Sequence, residues 1–204
     1  MEENKCNKCG NSGKTPDGKV CSCVYKDMLE HFLYDLKDIQ IPEEIKKLKF
    51  SDDFYKSDVY TKSTIKIGNK LYPTKSVLKL YLVHRFLRDV TTSYFIGTGK
   101  DIFDHYMTDG VDLQKKLQEV DVLILLIGND FKNSYMQEIL PSLLMSRKGQ
   151  NIIVWDNKFV TESTKKIHLI KDKYGDQFHL VLANNTKKVV YENGELGVRD
   201  HVSK

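Results

Sequence analysis

Val120-Asp121-Val122-Leu123-Ile124-Leu125-Leu126-Ile127-Gly128 is the stretch that decides how this chain folds. From Val122 to Ile127 every residue is aliphatic, so both faces of an extended segment are apolar, as in a central parallel strand covered on both sides. With Asp121 inside it, the run is about half the roughly 20 residues that a membrane span needs, and no membrane association is expected. Downstream, residues 134–147 carry helical spacing, and residues 152–155 read as a second buried strand with Trp155 in its core. Upstream, residues 112–119, 101–107 and 76–88 read as helices, and residues 93–96 and 63–67 as strands. Strands separated by helices of this length predict βαβ units and an α/β fold with a doubly wound, mostly parallel sheet. The tail adds a helix over residues 162–173, strands near 179–183 and 189–191, and a turn at Asn193-Gly194.

A chain of 204 residues accommodates one well-buried core and a small appended module. Its 32 basic residues are interleaved with 28 acidic ones for a net charge of +4, which is compatible with a nucleic-acid neighbour and does not require one. The pairs Lys165-Lys166 and Lys187-Lys188 read as solvated faces before they read as DNA contacts. The first residues lack the apolar stretch of a signal peptide, so a cytoplasmic protein is expected.

All 4 cysteines fall at Cys6, Cys9, Cys21 and Cys23, in the pattern C-x2-C-x11-C-x-C. In a reducing compartment this pattern points to a metal site, because thiolates at such spacing complete a tetrahedral Zn²⁺ shell. Gly10, Gly13 and Gly18 supply the turns that bring the pairs together. A closed shell of four thiolates leaves no place for a substrate water, so the expected role is structural. The second pair, C-x-C, departs from the commoner C-x2-C.

Residues 25–37 place Met28, Leu29, Phe32, Leu33 and Leu36 at helical spacing, and Ile41-Pro42 ends that helix. The expected division is a zinc-binding module over residues 1–40, a linker over 41–60 that packs through Phe50 and Phe54, and an α/β domain over 61–204 that folds without the rest.

Two segments invite reading as a phosphate loop, G-x-x-x-x-G-K-[ST], whose glycines allow backbone N–H groups to surround phosphates. Gly97-Thr98-Gly99-Lys100 is a decoy, since Asp101 follows the lysine and Tyr94 stands where the leading glycine belongs. Asn69-Lys70-Leu71-Tyr72-Pro73-Thr74-Lys75-Ser76 is better placed, just before a helix; it keeps Lys75 and Ser76 but neither glycine.

Taken together, three segments resemble the DnaC/DnaI-type loaders of replicative helicases, in the form found on phages and mobile elements. The first is Cys6-Asn7-Lys8-Cys9-Gly10 through Cys21-Ser22-Cys23; the second is the linker Ile41-Pro42 through Phe50 and Phe54. The third is the strand–helix–strand block 120–157, similar to a Walker B strand, a helix and a strand that ends in the sensor asparagine, here Asn157. Tyr174-Gly175-Asp176 also resembles the family's "YGER" stretch. The resemblance implies a P-loop, AAA+-like core that binds ATP or ADP through Lys75, Ser76 and Asn157. It also implies an N-terminal module, with Phe32, Leu33 and Leu36, that contacts a replicative helicase, and a core that engages single-stranded DNA. An asparagine after a buried strand is equally a plain turn residue.

The departures all concern catalysis. Thr74 stands where a glycine is needed, Leu126 and Ile127 where paired acids should hold Mg²⁺, and Val181 near where an arginine finger is expected. Phosphoryl transfer depends on such groups for nearly all its rate. The reading is therefore a pseudo-ATPase adaptor or inhibitor in DNA replication, with zinc as its cofactor and no catalytic residues. Its rivals are an active but atypical loader that uses Lys75, Ser76 and Asp130, and a zinc-stabilised nucleic-acid-binding module.

Overall fold

In the computed structural model, which describes residues 6–10, 12–18, 21–109, 111–128, 134–155 and 166–200, the aliphatic run lies inside a seven-stranded sheet. In chain order the elements are α1 (Ser22–Phe32), β1 (Lys49–Phe50), α2 (Asp52–Lys56), β2 (Val59–Lys62), β3 (Thr64–Ile67), β4 (Lys70–Pro73) and α3 (Thr74–Arg88). There follow β5 (Tyr94–Thr98), α4 (Gly99–Asp109), α5 (Val111–Glu119), β6 (Val122–Ile127), α6 (Ser134–Ser146), β7 (Gln150–Trp155), α7 (Lys166–Asn185), β8 (Lys187–Glu192) and β9 (Glu195–Arg199). The sheet runs β1-β9-β8-β2-β7-β6-β5, parallel throughout except for the antiparallel pair β8 and β9. A parallel neighbour needs a crossover, and the helices supply it.

The alternation of side chains along β6 and β7 explains why these strands are apolar at every position. Val122, Ile124, Ile152 and Val154 pack with α3 on one face, while Leu123, Leu125, Ile127, Ile153 and Trp155 pack with α4 to α7 on the other. From β2 the chain passes through α3 to the far edge at β5, steps back through β6 and β7, and then crosses beyond β2 to β8. This places helices on both faces, which makes the sheet doubly wound.

Three departures from the sequence reading bear on function. First, the end of α1 and the turn that follows it face inward. Leu33 and Leu36 are buried, and Phe32 packs 5.0 Å from the Phe86 ring and 4.9 Å from the Tyr94 ring, centroid to centroid. Second, residues 41–60 supply β1, α2 and the start of β2, so the expected boundary at 61 falls inside a central strand. Phe50 and Phe54 belong to the same apolar cluster as Val77 and Tyr81, so the core includes what was read as a linker. Third, the strand expected near 179–183 is the second half of α7, which kinks at Gly175 (φ 81°). A short apolar run such as His179-Leu180-Val181-Leu182 does not distinguish strand from helix by periodicity.

Candidate functional site

The cysteine loop and the carboxyl edge of the sheet are the two places the sequence singles out. In the loop, Cys21 is the N-cap residue of α1 and Cys23 lies in its first turn, so the helix fixes one pair. A turn fixes the other, with Cys9 N–H and Gly10 N–H both donating to Cys6 O, at 3.3 and 2.8 Å. Gly10 (φ 53°) and Gly13 (φ 74°) adopt backbone angles that side chains resist, and a Cβ on Gly13 would stand 3.3 Å from Val24 Cγ2.

The four Sγ atoms all lie within 4.8 Å of one another, with Cys6 and Cys21 3.7 Å apart and Cys9 and Cys23 3.5 Å apart. A tetrahedral shell with Zn–S bonds of about 2.3 Å separates its sulfurs by about 3.8 Å, so this cluster can hold a metal ion such as zinc with little adjustment. Backbone N–H groups of Lys8 first, then Cys9, lower the Cys6 thiol to about 6. The Cys9 and Cys21 sulfurs, in that order, raise Cys23 to about 12. Four sulfurs this close cannot all ionise without a cation among them, the condition that a divalent metal relieves.

At the carboxyl ends of β2, β5, β6 and β7 lies a crevice of about 340 Å³, lined by Ser63, Thr74, Lys75, Thr98, Leu126 and Ile127 among others. Doubly wound sheets bind ligands at this edge. The expected phosphate loop is absent from it. Residues 70–73 are strand β4, paired with β3 in a hairpin from Thr64↔Pro73 to Ile67↔Lys70. The start of α3 is spent on holding that hairpin, with Thr74 N–H donating to Ser63 O at 2.9 Å and its hydroxyl to Lys62 O at 2.5 Å. Ser76 is 5% exposed and does not line the crevice, whereas Lys75 stands exposed at its rim. The structure therefore separates the two residues that were expected to act together. Among the described residues no carboxylate lines the crevice, and Leu126 and Ile127 occupy the wall where acids would be needed. Asn157 and Asp130 lie outside the described residues.

Gly97-Thr98-Gly99-Lys100 is the end of β5 and the start of α4. Thr98 N–H and its hydroxyl donate to Asp101 Oδ2 at 2.6 and 2.7 Å, and Asp101 N–H donates back to Thr98 Oγ1 at 3.1 Å. That reciprocal capping box accounts for the segment without a phosphate.

Sequence reasoning missed the opposite, amino edge. There Asp58 accepts from Asn151 N–H and Nδ2 at 2.7 and 2.8 Å, and Arg147 Nε donates to Asn151 Oδ1 at 2.8 Å and Nη2 to Val120 O at 2.7 Å. Tyr81 donates to Gln150 Oε1 at 2.5 Å, and Gln150 Nε2 donates to Phe54 O and Ser57 O at 2.5 and 2.8 Å. Burial pushes Asp58 up from its ordinary value, lowers Arg147 to about 10 and raises Tyr81 to about 12. The available signal was a pair of amides, Gln150-Asn151, opening an otherwise apolar strand.

No family model, curated protein or solved structure matches the chain. Among the described residues no helix is long and apolar enough to cross a membrane.

Proposed function

We propose that this chain is a helicase-loader-like adaptor of the DNA replication apparatus, with a zinc-bearing N-terminal loop and an AAA+-like core that does not hydrolyse ATP. The observation that carries the reading is the carboxyl-edge crevice: α3 begins there, as a nucleotide site requires, but a hairpin replaces the phosphate loop and Leu126 and Ile127 replace the acids. Without Mg²⁺ ligands or a phosphate nest, the rate advantage of phosphoryl transfer is lost. Weak anion binding at the α3 N-terminus beside Lys75 is compatible with this.

The partner is a replicative helicase. The contact cannot use Leu33 and Leu36, which are buried, or Phe32, which packs on Phe86 and Tyr94. The exposed residues beside them, Tyr25 at 42%, Met28 at 41% and Tyr34 at 62%, take that role. Contact with single-stranded DNA is a secondary part of the reading.

Three measurements test it. Metal analysis of chelator-free protein should give one zinc per chain, lost in Cys21→Ser; a ratio near zero removes the zinc centre. Co-purification from the native cell should recover a replicative helicase, and the combined variant Tyr25→Ala, Met28→Ala, Tyr34→Ala should lose it. Steady-state ATP turnover, with and without single-stranded DNA, should stay at background; turnover of about 1 per minute that vanishes in Lys75→Ala would establish a working motor instead.

A further inference from the structure

The amino edge of the sheet carries a feature that the adaptor reading leaves unused. A polar crevice of about 920 Å³ opens there, at the starts of β2, β6 and β7. Four cations reach it, Lys56, Arg85, Arg147 and Lys148, against the carboxylates of Asp58, Glu119 and Asp121. Two of those carboxylates are already engaged, Asp58 by Asn151 and Asp121 by the N–H and hydroxyl of Ser93 at 2.8 and 2.9 Å. Among the described residues neither Lys56 nor Lys148 forms an ion pair.

Arg147 is 9% exposed, and its Nη1 is buried without an acceptor. A buried charged donor left unpaired is costly, and native structures seldom keep one without a use. Gly149 lies against the same group. A Cβ there would stand 2.4 Å from Val120 O, 2.7 Å from Asp121 O and 2.8 Å from Arg147 Nη2, so the close approach of the backbone before β6 leaves no room for a side chain beside the guanidinium. Arg85 is held at the mouth by donating from Nη1 to Tyr55 O and Tyr81 Oη, both at 3.1 Å.

We propose that this crevice binds a carboxylate, from a small organic acid or from an acidic side chain of a partner, with Arg85 and Lys148 holding it over the Arg147 guanidinium. Four cations against three carboxylates leave a single positive charge, which one carboxylate neutralises and a phosphate dianion would overfill. Guanidinium groups favour carboxylates through paired, charge-assisted hydrogen bonds. The volume exceeds what a carboxylate group fills, so the crevice has room for a ligand with a body.

The test is an amide NMR titration of the full, metal-loaded chain with sodium acetate and with a blocked Gly-Glu-Gly peptide, at ionic strength matched by sodium chloride. Both probes should give saturable shifts centred on the amides of Lys148, Gly149 and Gln150, with binding weakened at least about tenfold in Lys148→Gln and further in Lys148→Gln with Arg85→Gln. Lys148 is exposed, so its variant folds and the result stands. Tighter binding of the peptide assigns a partner side chain; equal or tighter binding of acetate assigns a free acid. Shifts that grow linearly, match those of chloride or persist in Lys148→Gln overturn the proposal, as does inorganic phosphate binding more tightly than acetate.

Discussion

The two ends of this sheet have exchanged the character that a doubly wound fold usually gives them. The carboxyl end, where such folds bind ligands, is walled by Leu126, Ile127 and Val154 and approached through a hairpin. The amino end, ordinarily the stabilising side, holds the linked set Asp58, Tyr81, Arg85, Arg147, Gln150 and Asn151. The difference separates two demands that one edge often serves at once. Charged groups persist here where they tie β2, β6 and β7 together, whereas among the described residues the carboxyl-edge crevice has Lys75 at its rim and no carboxylate.

The most severe way to probe this division is to remove the residues before Asp58. That deletes Leu33, Leu36, Ile45, Leu48, Phe50 and Phe54 from the core cluster, and with Phe54 O and Ser57 O both acceptors of Gln150 Nε2. Each buried Leu, Ile or Phe contributes about 1.5–3 kcal/mol, so the six together contribute about 9–18 kcal/mol, as much as the 5–15 kcal/mol by which a domain is typically stable. The truncated chain should show no cooperative urea transition by circular dichroism. A transition at the wild-type midpoint would restore the independent domain over residues 61–204 that the sequence suggested.

Next in size is Arg147→Ala. It strips Asn151 Oδ1 and Val120 O of their donor and leaves Asp58 and Asp121 with less compensating charge. Leaving buried acceptors such as Asn151 Oδ1 and Val120 O without a donor costs about 1–3 kcal/mol each, measurable from urea midpoints. A loss under about 1 kcal/mol would mean that the amino-edge network contributes no more than surface pairs do.

How much of this was legible follows from which residues face which way. β6, β7, α3 and α6 were readable because their apolar spacing is set by burial on one or both faces of the sheet. The cysteine cluster was readable because thiol spacing is a chemical constraint that survives any fold. β2 was not, since Val59-Tyr60-Thr61-Lys62 has one fully buried side chain and owes its strand to the ladders of β7 and β8. The strand over residues 63–67 was read, but β4 was taken into the phosphate-loop candidate over residues 69–76, although Gly68-Asn69, with Gly68 at φ 59°, makes the turn of a hairpin. The amino-edge network stayed hidden because Asp58 and Tyr81 are far in sequence from Arg147, Gln150 and Asn151, and Asp58 meets them only when β2 and β7 pair.

Tyr81→Phe sharpens the comparison with pH. Burial holds the Tyr81 phenol at about 12. Because the folded value lies above the ordinary 10, the stability it contributes is fully present below pH 10 and is lost as pH rises toward 12. At pH 7 the variant should lose about 1–3 kcal/mol, because Gln150 Oε1 is left without its donor. Between pH 10 and 12 the gap from wild type should narrow, since phenylalanine has no proton to lose. Urea midpoints at pH 7 and pH 11 check both parts, and a gap that widens with pH would show that Tyr81 ionises readily in the folded state.

The smallest effect belongs to the other end of the sheet, at Lys75. In a working nucleotide site this lysine neutralises phosphate charge, and its loss abolishes turnover. Here it stands exposed at the rim of the carboxyl-edge crevice, and the α3 N–H that would share a phosphate with it, that of Thr74, is bonded to Ser63 O. Lys75→Ala removes an exposed side chain that takes part in neither the hairpin nor the core, so stability should change by less than about 0.5 kcal/mol. Turnover should remain at the background of the unmodified chain. The informative contrast is with Arg147→Ala in the same urea series. If Lys75→Ala cost as much, or if ATP raised the wild-type midpoint and not that of Lys75→Ala, the carboxyl edge would hold a nucleotide after all, and the exchange of roles between the two edges would be only partial.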